Sequence, residues 1–310
     1  SSLGGSAPGL GGSSSLGGSA PGLGESGSNA RVPVPGETNR TPSNQGVQPQ
    51  PNEPATAGKL TTVRFDDPDA IMDGYTIYLP VSHNADNAPY PVLVFLQGAF
   101  GVSDRIEDVN DWGMTRLIRD ETNLDSRRNR LLLDGFIVVN PHIRQGSYAD
   151  HPQVITQIIN DVIEDHNGDP TRVYLTGLSR GGHGTWGLAS SLPGTFAAIA
   201  PIGGNSSRVD DWAALEGTAI WISHNAHDSR VSFDYTQQAM RQLESELGIG
   251  FQTYDTLSVR RTDFMDHDHI LTSAQTMSHD AWTEIYSNPE FYEWLLRHRL
   301  PDRRAPSETR

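Results

Sequence analysis

Tyr174-Leu175-Thr176-Gly177-Leu178-Ser179-Arg180-Gly181-Gly182-His183-Gly184 is the stretch that decides the fold. An apolar run enters a Gly-x-Ser-x-Gly sequence and continues into Thr185-Trp186-Gly187-Leu188-Ala189, the pattern of a strand, a sharp turn and a helix. Such a turn holds a serine at its apex and needs small residues on both sides so that neighbouring backbone can approach; Gly177 and Gly181 meet that need. The following helix points its N-terminus at the serine, so the Arg180 N–H is free to donate to a developing oxyanion. Ser179 is the candidate nucleophile. Residues 172–176 read as a buried strand, and the small residues between 182 and 191 suit a helix packed closely on a sheet.

Outward from that turn, strand and helix patterns alternate. Upstream, residues 60–65 and 75–80 alternate as strands do, residues 91–96 form a continuous apolar run typical of a strand buried on both faces, and residues 135–140 repeat it. Between them, residues 103–134 are charged and helix-competent, with Trp112, Met114, Leu117 and Ile118 spaced for one buried face. Val154, Ile155, Ile158, Ile159, Val162 and Ile163 predict an amphipathic helix over 152–165, which Asn167-Gly168-Asp169-Pro170 ends. Downstream come apolar runs at 196–201 and 219–223, a helix over 233–246 and a strand near 251–254. The alternation predicts an α/β fold: a largely parallel central sheet flanked by helices on both faces, with ligands at the carboxyl ends of the strands.

Composition narrows the function. The 310 residues carry a formal net charge of −15, which argues against nucleic acid or an anionic membrane surface as partner. No run of about 18 apolar residues occurs. Cysteine is absent, which excludes disulfides, thiolate metal sites and a cysteine nucleophile. Residues 1–56 are dominated by Gly, Ser, Pro, Asn and Gln and hold too little apolar surface to offset the entropy of ordering, so this segment reads as a disordered linker. Ser2-Leu3-Gly4-Gly5-Ser6-Ala7-Pro8-Gly9-Leu10-Gly11 recurs residue for residue from Ser15 to Gly24. Such a linker can tether an upstream module and suggests a secreted or extracytoplasmic protein, although the first residues lack the basic and apolar regions of a signal peptide. The expected organisation is linker 1–56, catalytic domain 57–300 and tail 301–310.

A serine hydroxyl needs a histidine to take its proton and an acid to orient that histidine, in this architecture in the chain order serine, acid, histidine. Asp228 follows the apolar run at 219–223 and is the candidate acid. For the base, His279 stands before Trp282, Ile285 and Tyr286, which can anchor its backbone; His267 and His269 compete with it and, two apart, offer an incomplete metal set that reads better as a solvated loop. No metal and no cofactor is expected. Gln97-Gly98-Ala99 follows the buried run at 91–96, where the second oxyanion donor is built; the Ala99 N–H is the first choice and Gly98 the next. Gln97, Phe100 and His183 are candidates for substrate contact.

With these residues placed, the chain from about residue 61 to 298 resembles the α/β-hydrolase superfamily. Within it the likeness is to bacterial carboxylesterases often labelled predicted peptidases, related to feruloyl and polyhydroxyalkanoate-type esterases. The resemblance rests on residues 169–182, on 196–202, on His279-Asp280-Ala281-Trp282 and on 288–296. It implies ester hydrolysis by Ser179, Asp228 and His279, on a small-molecule or polymer ester such as acylated polysaccharide, aromatic or polyester-type substrates, with a serine peptidase or a silent binding module as the alternatives. The family usually has a histidine before the first oxyanion glycine; here Gln97 stands in that place.

Overall fold

A computed structural model describes residues 49–51, 54–67, 70–101, 103–121, 123–255 and 262–301, with the side chains of 49–51, Phe100, Thr262 and Asp263 left undescribed. The expected disordered linker and upstream tether therefore lie outside the described residues, apart from 49–51 and 54–56, and so does the tail beyond Pro301.

Strands β1 (Pro49–Pro51), β2 (Leu60–Phe65), β3 (Gly74–Tyr78) and β4 (Tyr90–Leu96) open the domain, followed by helices α1 (Gly113–Asp120) and α2 (Arg127–Gly135) and strand β5 (Ile137–His142). Helix α3 (Pro152–Asp165), strand β6 (Gly168–Leu178), helix α4 (Arg180–Ser191), strands β7 (Ala198–Ile202) and β8 (Ala219–Ser223) and helix α5 (Asp234–Leu247) come next. Strands β9 (Gln252–Tyr254) and β10 (His269–Thr272) and helices α6 (Trp282–Ser287) and α7 (Pro289–Arg297) complete the described order. The strands form one sheet, β1-β2-β3-β5-β4-β6-β7-β8-β10-β9. Pairing is antiparallel from β1 through β3 to β5 and parallel from β5 to β9.

Because successive strand residues face opposite ways, the continuous apolar runs feed two separate cores. Val92, Val94 and Leu96 of β4 pack with Ile155, Ile158, Ile159 and Val162 of α3, Trp186 of α4 and Leu243 of α5. Leu93 and Phe95 turn the other way, to Met114 and Ile118 of α1, Leu132 of α2 and Phe291, Trp294 and Leu295 of α7. Each such side chain contributes roughly 1.5–3 kcal/mol on leaving water. Pro152 starts α3 at the first helical position, and Gly248, in the left-handed conformation, ends α5 with its N–H on the Glu244 carbonyl at 2.9 Å.

Three expectations are corrected. The helix expected over 103–134 is instead a 3-10 turn (Ile106–Asp111) and two helices, because Gly113 adopts φ +58 and Ser126 starts a new helix by accepting the Asn129 N–H at 3.0 Å. Trp112, placed on its buried face by spacing, is 44% exposed as a result. The solvated loop expected around His267 and His269 contains β10, whose Ile270 and Leu271 are buried between β8 and β9. Among the described residues no helix is long and apolar enough to cross a membrane.

Candidate active site

Four parallel strands deliver the site from their carboxyl ends, as an open α/β sheet should. Strand β6 leads into Ser179, which sits between strand and helix at φ 53 and ψ −113, a conformation that costs a non-glycine residue on the order of 1–3 kcal/mol. The turn is held on both sides: the Ser179 N–H donates to the Ile202 carbonyl at 2.8 Å, and its carbonyl accepts the His183 N–H at 3.0 Å. Crowding explains the glycines. A Cβ on Gly181 would stand 2.0 Å from the Leu96 carbonyl oxygen, and one on Gly177 would stand 2.5 Å from the Gly181 backbone.

His279, on the segment between β10 and α6, places Nε2 2.8 Å from Ser179 Oγ, and its Nδ1 lies 2.6 Å from Asp228 Oδ2. The Asp228 carboxylate is fully screened from solvent. Burial alone would raise its pKa, but the hydrogen bond from His279 and the Arg230 and Val231 N–H groups on Oδ1, at 2.7 and 3.1 Å, hold it below the usual carboxylate range. Asp228 is thus an anion at neutral pH, with His279 between it and the serine.

Two further residues, Asn225 and His224, hold that arrangement, and only Asn225 carries no signal in the sequence. Asn225, buried in the loop after β8, donates its amide to the Ser278 carbonyl at 2.9 Å and the Asp280 carbonyl at 3.2 Å, clamping the backbone on both sides of His279. His224 donates through Nε2 to the Val231 carbonyl at 3.1 Å, so Nδ1 accepts the Thr236 hydroxyl at 2.7 Å; Nε2 also stands 3.3 Å from Asp228 Oδ2. Burial pushes the His224 pKa down, which keeps it neutral. The Trp282 ring meets the His279 imidazole edge-on at 5.2 Å. Asp280 caps α6 by accepting the Trp282 and Thr283 N–H groups at 3.1 and 2.9 Å.

The remaining candidates separate. Gly98 backs onto Ser179, since a Cβ there would stand 3.6 Å from Ser179 Cβ, and Ala99 is exposed at the start of a 3-10 turn, Ala99–Gly101. Gln97 lines the larger cleft, beside Gly98 and Leu178, with its amide nitrogen turned inward. Fully buried, its amide donates to Val109 O, to Trp112 O at 3.2 Å and to Thr115 Oγ1 at 3.0 Å, so it ties the 109–115 segment beneath the site. The Phe100 side chain lies outside the described residues. His183 lines a separate polar cleft with Arg180 and Arg208. His267 and His269 lie by β10, away from Ser179: the His267 carbonyl accepts the Trp294 indole N–H at 2.8 Å, and His269 is half-buried at the strand's start. Among the described residues no three ligating side chains converge on a metal site.

Beside Gly98 and Leu178 opens a cleft of about 460 Å³ whose walls include Trp112, Leu117, Trp282 and Tyr286, with Arg116, Glu121 and Asp280 also lining it. It is a mainly apolar recess next to Ser179, the usual form of a small-molecule site.

No protein-family model matches the chain. A protein of Escherichia coli (strain K12), provisionally named carboxymethylenebutenolidase, is 26% identical over 176 residues, 47% of this chain and 58% of that protein's length. Poly(3-hydroxyalkanoate) depolymerase C of Paucimonas lemoignei is 44% identical over 50 residues, 16% of this chain and 12% of the depolymerase. Among solved structures, a thermostable esterase superposes with a TM-score of 0.55 at 21% identity, covering 78% of this chain and 64% of that one. A feruloyl esterase module from Clostridium thermocellum gives 0.55 at 14% identity, covering 80% and 92%.

Proposed function

This chain is an α/β-hydrolase in fold, and from that premise we propose that it hydrolyses carboxylic esters through an acyl-enzyme on Ser179. The observation that carries the reading is the unbroken contact series Ser179 Oγ to His279 Nε2 at 2.8 Å and His279 Nδ1 to Asp228 at 2.6 Å. His279 accepts the hydroxyl proton as Oγ bonds to the ester carbonyl carbon, and Asp228 stabilises the imidazolium that forms. The carbonyl oxygen becomes an oxyanion, received by the Arg180 N–H at the head of α4 and by Ala99 or Gly98. Each such donor is worth about 10²–10³ in rate. Collapse breaks the bond to the alcohol, which leaves with the proton from His279. Water, deprotonated by the same imidazole, then attacks the acyl carbon and releases the acid and Ser179. The strained φ of Ser179 fits this role, because it holds Oγ clear of the helix and toward the imidazole.

The relatives' names and the apolar cleft beside Ser179 support an ester rather than a charged polymer as the substrate class. Ser179→Ala should remove 4-nitrophenyl acetate hydrolysis by about 10⁴-fold or more, and a fluorophosphonate should add one mass increment on Ser179 in the unaltered protein. Turnover retained by Ser179→Ala, or label on another residue, would reject the mechanism.

A further inference from the structure

On the α4 side of Ser179 lies a second cleft, of about 330 Å³, lined by Ser147, Arg180, His183, Asn205 and Arg208 among others. Its lining includes two arginines and no carboxylate, in a chain with 38 acidic and 23 basic residues. Arg208 pairs at the rim with Asp150 at 2.7 Å, where both side chains are about half exposed. Arg180 differs. It is half-buried, and its guanidinium donates to no carboxylate or carbonyl among the described residues. Burial pushes its pKa down; the neighbouring Tyr148 phenol favours the charge but is itself buried, with its own pKa pushed up, so it is no anion at neutral pH. A charge withdrawn from water without a counter-charge is costly, and a guanidinium on a cleft wall with no acceptor among the described residues is suited to one brought by a ligand.

The cleft adjoins the chemistry. Arg180 follows Ser179 directly, and Asn205 lies two residues after Gly203, where a Cβ would meet the His279 ring at 3.4 Å. His183 feels the same field. Burial first, with the Arg180 and Arg208 charges acting in the same direction, pushes its pKa down to about 4, so it is neutral and adds no charge of its own. The nucleophile is therefore bordered by the mainly apolar cleft of Trp112 and Trp282 and by a small cationic one.

We propose that Arg180, assisted by Arg208, binds a carboxylate carried by the substrate, so that the preferred esters are half-esters of short dicarboxylic acids. This rests on the ester-hydrolase reading and names its substrate class. Planar guanidinium groups match a carboxylate bidentately, and a cleft of this size holds the acid group and a few methylenes.

The test compares monomethyl glutarate with methyl pentanoate, equal in chain length and differing in the charged end. Calorimetry on the Ser179→Ala protein should show the glutarate half-ester binding about tenfold or more tightly, with the difference shrinking as salt is raised. The His183 imidazole, followed by NMR, should titrate at higher pH when the half-ester is bound. Arg180→Gln in that background should remove the preference. Arg208→Gln, at an exposed position that leaves folding intact, should lower it severalfold and keeps the test decisive if Arg180→Gln does not fold. Equal affinity for the two compounds, or a preference that survives in each folded arginine variant, overturns the proposal. Hydrolysis of both esters with equal kcat/KM leaves the ester-hydrolase reading standing and sinks the anion site. Binding of the half-ester without hydrolysis of either compound does the reverse.

Discussion

His224 Nε2 stands 3.3 Å from Asp228 Oδ2, the same oxygen that lies 2.6 Å from His279 Nδ1. One carboxylate oxygen thus faces two imidazoles. Burial keeps His224 neutral, Thr236 and Val231 fix its ring, and it stands where it can hold the orientation of Asp228 toward His279. His224→Leu should lower kcat for an accepted ester about tenfold with little change in KM, the scale of one hydrogen bond to a charged group. His224→Gln, which keeps a donor, should restore part of the loss. A change confined to KM would assign His224 to substrate binding instead.

Gly181 tolerates no side chain. Because its Cβ would stand 2.0 Å from a backbone oxygen of β4, Gly181→Ala must push α4 off the sheet. Overpacking of this kind typically costs about 1–3 kcal/mol, and a backbone clash belongs at the upper end. Urea unfolding should show a midpoint lowered accordingly, with activity falling as the turn moves.

Stability should fall on mild acidification. His183 and His298 have folded pKa values pushed down to about 4, by burial first, against 6.5 for an ordinary histidine. Between those values the unfolded chain binds more protons, so stability is fully present above about pH 6.5 and is lost as pH falls toward about 4. Asp161 acts oppositely: burial, with Asp165 and Glu164 nearby, raises it to about 6, so its charge destabilises the fold above that pH. Two histidines outweigh one carboxyl, and the urea midpoint should be lower at pH 5 than at pH 7. Asp161→Asn should raise stability at pH 7 by about 1–2 kcal/mol, allowing for its partial exposure, and should steepen the acid loss. A flat profile between pH 5 and 7 would contradict these assignments.

Trp112 is 44% exposed on the wall of the larger cleft, with Trp282 also lining it. Trp112→Ala should raise KM for aromatic esters by about three- to tenfold, the scale of one aromatic contact. Thermal stability should barely move, since little of the ring is in the core. A large drop in melting temperature would make Trp112 a packing residue.

The sequence was most legible where the chemistry is local. Residues 91–96 and 172–176 are apolar on both faces because helices cover both sides of their strands, and α3 shows its stripe because one side faces water. The serine turn was readable because its glycines adjoin it. What could not be read is held by distant partners. Asn225 acts on carbonyls 53 and 55 residues away, and nothing in its own neighbourhood marks it as a clamp. Gln97 lines the cleft, but its position does not reveal that its amide also ties Val109, Trp112 and Thr115, whose approach depends on the break at Gly113. Strand β10 is four residues long beside Asp266, His267 and Asp268, and its burial comes from β8, β9 and α7 rather than from its own composition.

That short strand also sets an order of events during synthesis. β10 lies between β8 and β9 although it follows both in the chain, and β9 has it as its sole neighbour among the described strands. While the ribosome is still reading toward residue 269, β8 is a bare hydrogen-bonding edge and β9 has nothing to pair with. Arrival of His269–Thr272 closes both gaps at once, and seven residues later the chain delivers His279. Completion of the sheet and arrival of His279 beside Ser179 and Asp228 are therefore nearly one event, so a nascent chain stalled before it carries the serine turn without its neighbouring imidazole.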